Sequence, residues 1–203
     1  MCTDVIHLYV NMPGKAPCFS TIKEALDSLP IQPEEAVYPA PVSALAPACI
    51  HIGAGTYREC LTVERPNVTL LGEGKDRSDV VIVNGYYGRE IMPDGIKRGT
   101  FRTATVRVAA QDFTAKHLTF RNDSGYGYQV GQALALYVDG DRCYLEDCAL
   151  LGSQDTLFTA PLPPKEVEPG GFRGPGENKP RTMGRHCYRN CYIQGDVDFL
   201  FGG

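Results

Sequence analysis

From Cys49 onward short apolar segments alternate with turn residues. Cys49-Ile50-His51-Ile52 leads into Gly53-Ala54-Gly55, and Leu61-Thr62-Val63 follows. Val68-Thr69-Leu70-Leu71 leads into Gly72-Glu73-Gly74, and Val80-Val81-Ile82-Val83 into Asn84-Gly85. Segments at 105–108, 113–120, 133–138, 144–151 and 188–194 continue the series. Short runs rich in Val, Ile and Leu, bounded by Gly and Asn, predict strands. Val5 to Val10 predicts another. One stretch has helical spacing instead. Thr21 and Glu24 form a capping box, Ile22, Ala25, Leu26 and Leu29 follow on one face, and Pro30 ends the run. Residues 30–48, rich in Pro and Ala, read as a loop.

Many short strands and few helices predict an all-β chain. A sandwich or a propeller would give the same texture, and an internal repeat separates them. Asp147-Cys148-Ala149-Leu150-Leu151-Gly152 is similar to Asn190-Cys191-Tyr192-Ile193-Gln194-Gly195, and His117-Leu118-Thr119-Phe120-Arg121-Asn122 is a weaker third copy. Stacked coils that each begin with an apolar strand predict a right-handed parallel β-helix. The expected organisation is a single β-helix domain over 1–203, with the N-terminal helix covering the open end of the solenoid. The last interval, 43 residues, exceeds one coil. Its surplus is the Pro- and Gly-rich stretch 161–182, expected to be an excursion loop that leaves and rejoins the stack.

Bulk properties narrow the function classes. The 203 residues carry a net charge of −4, against the basic face a nucleic-acid binder needs. No unbroken apolar run has membrane-spanning length, so no membrane partner is expected. The first residues show no basic n-region or apolar h-region, which leaves a cytoplasmic protein or a secreted one with its leader removed. Eight cysteines occur with no CxxC pair and no Cys/His metal spacing, and are expected to be small buried core residues. Cys148 maps onto Cys191 at 43 residues, and Cys143 onto Cys187 one residue out of step. His7, His51, His117 and His186 show no ligand spacing, and no metal is expected.

The candidate chemistry lies in Gly195-Asp196-Val197-Asp198-Phe199-Leu200-Phe201, acids embedded among residues that favour burial. A carboxylate there loses solvation and needs partners or a raised pKa. Gly152-Ser153-Gln154-Asp155-Thr156-Leu157-Phe158 echoes it, with Asp155 and Asp198 43 residues apart. Stacked repeats would bring the two acids to about 4.8 Å strand spacing, where their pKa values separate and one serves as base or nucleophile while the other holds a proton. Gln154 and Gln132 can donate to a developing oxyanion without adding charge. The set suits acyl transfer or glycoside chemistry. The alternatives are acids that cap turns and a glutamine ladder along the solenoid. Tyr126 and Tyr128 read either as loop packing or as sugar contacts.

Gly131-Gln132-Ala133-Leu134-Ala135-Leu136, Gln154-Asp155-Thr156-Leu157-Phe158 and Gly195-Asp196-Val197-Asp198-Phe199-Leu200-Phe201-Gly202 resemble three signature blocks of the pectin methylesterases. Gly55-Thr56-Tyr57-Arg58-Glu59 resembles that family's early G-x-Y-x-E turn, and Thr103-Ala104-Thr105-Val106 also has a counterpart. The blocks fall in the family's order from about Phe19 to Gly203, and the 161–182 loop resembles the longer loop of some bacterial members. The resemblance implies hydrolysis of methyl esters of homogalacturonan (pectin) or its oligomers to carboxylate and methanol. It implies Asp198 as nucleophile, Asp155 as general acid, and Gln154 as transition-state stabiliser. Gln132 and Thr105 match substrate-binding positions, and Phe158 and Phe199 could stack on sugar rings. It implies no cofactor, and a monomer when full length. The family's arginine, in a G-R-x-W block, has no counterpart before Gly203, and the chain has no Trp. The chain is therefore expected to be the N-terminal part of a longer catalytic domain. A pectin-binding or inactive fragment, or another β-helix hydrolase or lyase, stays open as the alternative.

Overall fold

The computed structural model describes residues 4–30, 45–166 and 169–202. Its strands come in threes. β1 (Ile6–Val10) and β2 (Cys18–Phe19) start the stack, with α1 (Ile22–Asp27) behind them. Five coils follow. The first holds β3 (Ala48–Ile52), β4 (Gly55–Arg58) and β5 (Leu61–Val63). The second holds β6 (Val68–Gly72), β7 (Val80–Asn84) and β8 (Val106–Val108). The third holds β9 (Thr114–Lys116) and β10 (Thr119–Asn122), then α2 (Gly127–Val130) and β11 (Leu136–Val138). The fourth holds β12 (Cys143–Glu146), β13 (Ala149–Leu151) and β14 (Leu157–Thr159). The fifth holds β15 (His186–Arg189), β16 (Tyr192–Gln194) and β17 (Leu200–Gly202).

Like strands of successive coils pair in parallel, giving sheets in the orders β15-β12-β9-β6-β3-β1-β2, β16-β13-β10-β7-β4 and β17-β14-β11-β8-β5. This is the expected parallel β-helix. Because the ladder is parallel, one apolar position repeats up the stack. Leu8, Ile50, Leu70, Ala115 and Leu145 form one inward column, and Leu61, Val106, Leu136 and Leu157 form another. All nine are buried, at about 1.5–3 kcal/mol for each large side chain. The aligned columns explain the repeat: a coil whose apolar positions slipped by one residue would turn its core side chains outward.

Three single strands read from the sequence are pairs of strands. The 113–120, 144–151 and 188–194 segments each bend at one residue, His117, Asp147 and Asn190, with φ of 56°, 52° and 53°. A lone left-handed residue turns the chain from the first sheet to the second with no loop. It leaves no apolar gap in the sequence, so the corner stays hidden there. Gly55-Thr56-Tyr57-Arg58-Glu59, expected as a turn, is strand β4 with Glu59 at its end. Glu59 Oε1 and Oε2 accept from the Ile22 and Lys23 amides at 3.0 and 2.9 Å. These are orphan donors of the first turn of α1, so the block anchors the helix on the stack. The Thr21–Glu24 capping box is present, and α1 buries Ile22 and Ala25 against the core. Most of the 30–48 loop expectation falls on 31–44, outside the described residues.

The stretch between β14 and β15 contains no strand among its described residues. It packs back on the stack through Leu162 and Phe172, and Lys179 Nζ lies 2.7 Å from Asp139 Oδ2. Among the described residues no helix is long and apolar enough to cross a membrane. The cysteine expectation needs correction. Cys143 and Cys148 are buried, but Cys18, Cys60 and Cys187 are exposed. Cys187 lies abreast of Tyr144, not Cys143, because the register between these coils is 43 residues throughout.

Candidate active site

The two acids meet at a corner of the stack. Leu157 pairs with Leu200 and Phe158 with Phe201, so Asp155 and Asp198 hold the same place on adjacent coils. The ladder continues through the corner: the Asp155 amide donates to the Val197 carbonyl at 3.0 Å and the Leu157 amide to the Phe199 carbonyl at 2.9 Å. Both aspartates have left-handed backbone, φ 64° and 46°. Asp tolerates that region better than branched or bulky residues.

Asp155 is 6% exposed. Burial, then the charge of Asp198, raise the Asp155 carboxyl to about 7, against a hydrogen bond with Gln154 that works the other way. A carboxyl in that range can give a proton near neutrality and take it back. Among the described residues no Lys, Arg or His forms an ion pair with either aspartate.

The corner beneath Asp198 is braced. Ser153 Oγ donates to Asp196 Oδ2 at 2.6 Å and accepts from the Gly127 amide at 3.0 Å. Thr156 Oγ1 donates to the Gln194 carbonyl at 2.9 Å. A Cβ on Gly195 would lie 2.4 Å from Phe199 Cβ and 2.5 Å from the Ser153 carbonyl oxygen, so only glycine fits. The sequence reading gives Ser153 and Thr156 no role, although the repeat carries the signal: Ser153 and Asp196 are also 43 residues apart.

Gln132 lies one coil before Gln154, where the Ala133 amide donates to the Gln154 carbonyl at 3.0 Å. It lines a cleft of about 470 Å³ with Arg89, Lys97, Arg102 and Arg173. Two of these cations are partly engaged: Arg89 donates to the Tyr128 carbonyl at 2.8 Å and Arg102 to the Lys97 carbonyl at 2.7 Å. The cleft thus joins an amide to a cationic wall. Gly127 comes so close to Gln154 that a Cβ would sit 2.5 Å from Gln154 Cβ. This places the loop carrying Tyr126 and Tyr128 beside the acids. Those tyrosines are 65% and 75% exposed and stack on each other at 5.8 Å. Of the two sequence readings, packing into the loop fails, because both rings stand in solvent.

Two expected sugar or substrate contacts are not at the surface. Phe158 is 1% exposed, enclosed by Phe101, Tyr137 and Phe201 at 5.0, 4.8 and 4.9 Å between ring centres. Its expected stacking on a sugar ring is corrected accordingly: no face is free. Thr105 is fully buried, and its hydroxyl donates to the Arg121 carbonyl at 2.8 Å, which makes it a brace between strands. Phe199 is 40% exposed.

Residues 16–162 match the family model described as Pectinesterase. A pectinesterase of Petunia integrifolia is 32% identical over 186 residues, covering 91% of this chain and 38% of that protein. The solved pectin methylesterase PemA from Erwinia chrysanthemi superposes with a TM-score of 0.71 at 30% identity, covering 98% of this chain and 52% of that one. A crystal structure of a pectin methylesterase in complex with hexasaccharide VII superposes with a TM-score of 0.74 at 31% identity, covering 98% of this chain and 52% of that one. The chain therefore spans about half the length of these solved relatives, and less of the Petunia protein.

Proposed function

The chain belongs to the pectinesterase family, and from that membership we propose that it hydrolyses methyl esters of polygalacturonate through an aspartyl acyl-enzyme. The observation that carries this reading is the coupled pair: Asp155 and Asp198 hold the same place on adjacent coils, and burial together with the charge of Asp198 pushes the Asp155 carboxyl up to about 7. The Asp198 carboxylate attacks the ester carbonyl carbon. The carbonyl electrons move onto oxygen, and the side-chain amides of Gln154 and Gln132 donate to that oxyanion. Collapse breaks the bond to the methoxy group, which leaves as methanol with the proton of Asp155. The product is an anhydride between Asp198 and the uronate. Asp155, now a carboxylate, takes a proton from water as that water attacks the anhydride. This frees a uronate carboxylate, restores Asp198 and reprotonates Asp155.

Substrate class follows from the same face. Arg89, Lys97, Arg102 and Arg173 beside Gln132 suit a chain that carries free carboxylates next to its esters. The exposed Tyr126–Tyr128 pair and Phe199 offer flat apolar faces to sugar rings. A methyl-esterified homogalacturonan has both features.

A second reading is a pectin-binding member without turnover. Methanol release from methyl-esterified polygalacturonate separates the two. Release by the wild type and its loss in Asp198→Ala supports the esterase. Polymer binding without release supports the second reading. Turnover retained in Asp198→Ala overturns the assignment of the nucleophile.

A further inference from the structure

On the outer face of the first sheet, three side chains with metal-binding chemistry meet. His7 lies on β1, and Cys49 and His51 on β3, with His7 abreast of Cys49 and Tyr9 abreast of His51. The inward positions of these strands, Leu8, Val10, Ile50 and Ile52, are core, so the period of two turns His7, Cys49 and His51 to the same outer side. His7 Nδ1 is 2.9 Å from His51 Nε2, and one ligand atom from each of the three residues lies within 4.8 Å of the others. None of the histidines has ligand spacing along the chain. The parallel ladder alone makes the cluster, because it lays residue 7 beside residues 49 and 51.

Two further contacts prepare His51. Its Nδ1 lies 2.6 Å from Glu73 Oε1, on the next coil. A carboxylate there accepts the Nδ1–H, which fixes the tautomer and leaves the Nε2 lone pair pointing at His7 and Cys49. Tyr9 stacks on the His51 ring at 4.9 Å and 20°, which holds the ring plane. A carboxylate behind a histidine whose other nitrogen faces two more donors is a ligand shell with its outer support in place. The ligand atoms of a tetrahedral zinc ion with two nitrogens and one sulfur lie roughly 3.3 to 3.6 Å apart, from bonds of about 2.0 and 2.3 Å. The His7–His51 contact opens by a few tenths of an ångström to reach that geometry, and the Cys49 thiol, within 4.8 Å of both, closes onto the ion.

We propose that His7, Cys49 and His51 bind a zinc-class divalent cation, with a fourth position open to water, and that the ion fastens β1 to the first coil. Two imidazoles and a thiolate select Zn²⁺ or Co²⁺ over Mg²⁺ or Ca²⁺. Binding displaces the thiol proton to solvent and the His7–His51 hydrogen bond, with no change of oxidation state. The site is three coils from Asp155, so its role is structural.

Co²⁺ added to the chelator-treated protein is the probe. One equivalent is expected to give a thiolate-to-cobalt charge-transfer band with intense tetrahedral d–d bands, and Zn²⁺ is expected to displace it. Cys49→Ser is expected to abolish the charge-transfer band, and His51→Ala to weaken affinity at least tenfold, with circular dichroism showing both variants folded. Zn²⁺ is expected to raise the Tm of the wild type and not of Cys49→Ser. A wild type without the thiolate band, or a band that persists in Cys49→Ser and so comes from another of the cysteines, overturns the proposal. If Cys49→Ser fails to fold, Glu73→Gln decides: weaker Co²⁺ binding supports the site and unchanged binding overturns it.

Discussion

Asp198 sits one coil above Asp155 at the same register position, and its charge is the second cause, after burial, of the raised Asp155 carboxyl. Proximity couples them, and the burial of Asp155 holds its proton toward neutrality.

The raised carboxyl makes stability depend on pH with a definite sign. The folded chain holds the Asp155 proton more tightly than the unfolded chain does. That contribution is complete below the ordinary range near pH 4 and is lost as pH rises through about 7. Relative to Asp155→Asn, which cannot titrate, the wild type is expected to lose on the order of 4 kcal/mol across that window. Urea unfolding of both proteins at several pH values measures it. A difference that grows with pH in favour of the wild type would contradict the sign.

Removing the neighbouring charge separates the two causes. In Asp198→Asn the Asp155 titration is expected to move down yet stay above the usual carboxylate range, because burial is the larger cause. Carbon-13 NMR of the Asp155 carboxyl reads this directly. An unchanged titration would mean the two side chains do not face each other.

Gly195→Ala tests the brace under Asp198. The added methyl group meets backbone and side chain at 2.4 to 2.6 Å, so the corner must shift. The expected cost is about 1–3 kcal/mol in stability, with methanol release falling at least tenfold because Asp198 moves. Thermal unfolding and the release assay are read together; full activity at wild-type Tm would show that the corner has room.

The tyrosine pair is expected to act on substrate affinity alone. Tyr126→Ala combined with Tyr128→Ala removes two exposed rings from the surface, so stability should change by less than about 0.5 kcal/mol for each. On methylated polygalacturonate KM is expected to rise several-fold while kcat stays within about twofold, the signature of lost uniform binding. An unchanged KM would show that the rings do not touch the substrate.

Much of the architecture is legible in the chain because a parallel stack repeats its apolar columns at a fixed interval. The 43-residue echo of Asp155 in Asp198 is the register of β14 with β17, and the capping box at Thr21 and Glu24 is local chemistry that needs no partner. Residue type and interval thus put the two acids and their glutamines together on paper. Burial was not legible, because it belongs to neighbours. Phe158 reads as a free aromatic beside the catalytic block, and the rings of Phe101, Tyr137 and Phe201 enclose it. The raised Asp155 carboxyl and the meeting of His7 with Cys49 and His51 likewise come only from stacking. Sequence fixes which groups recur, and the solenoid decides which of them lie side by side and which keep water.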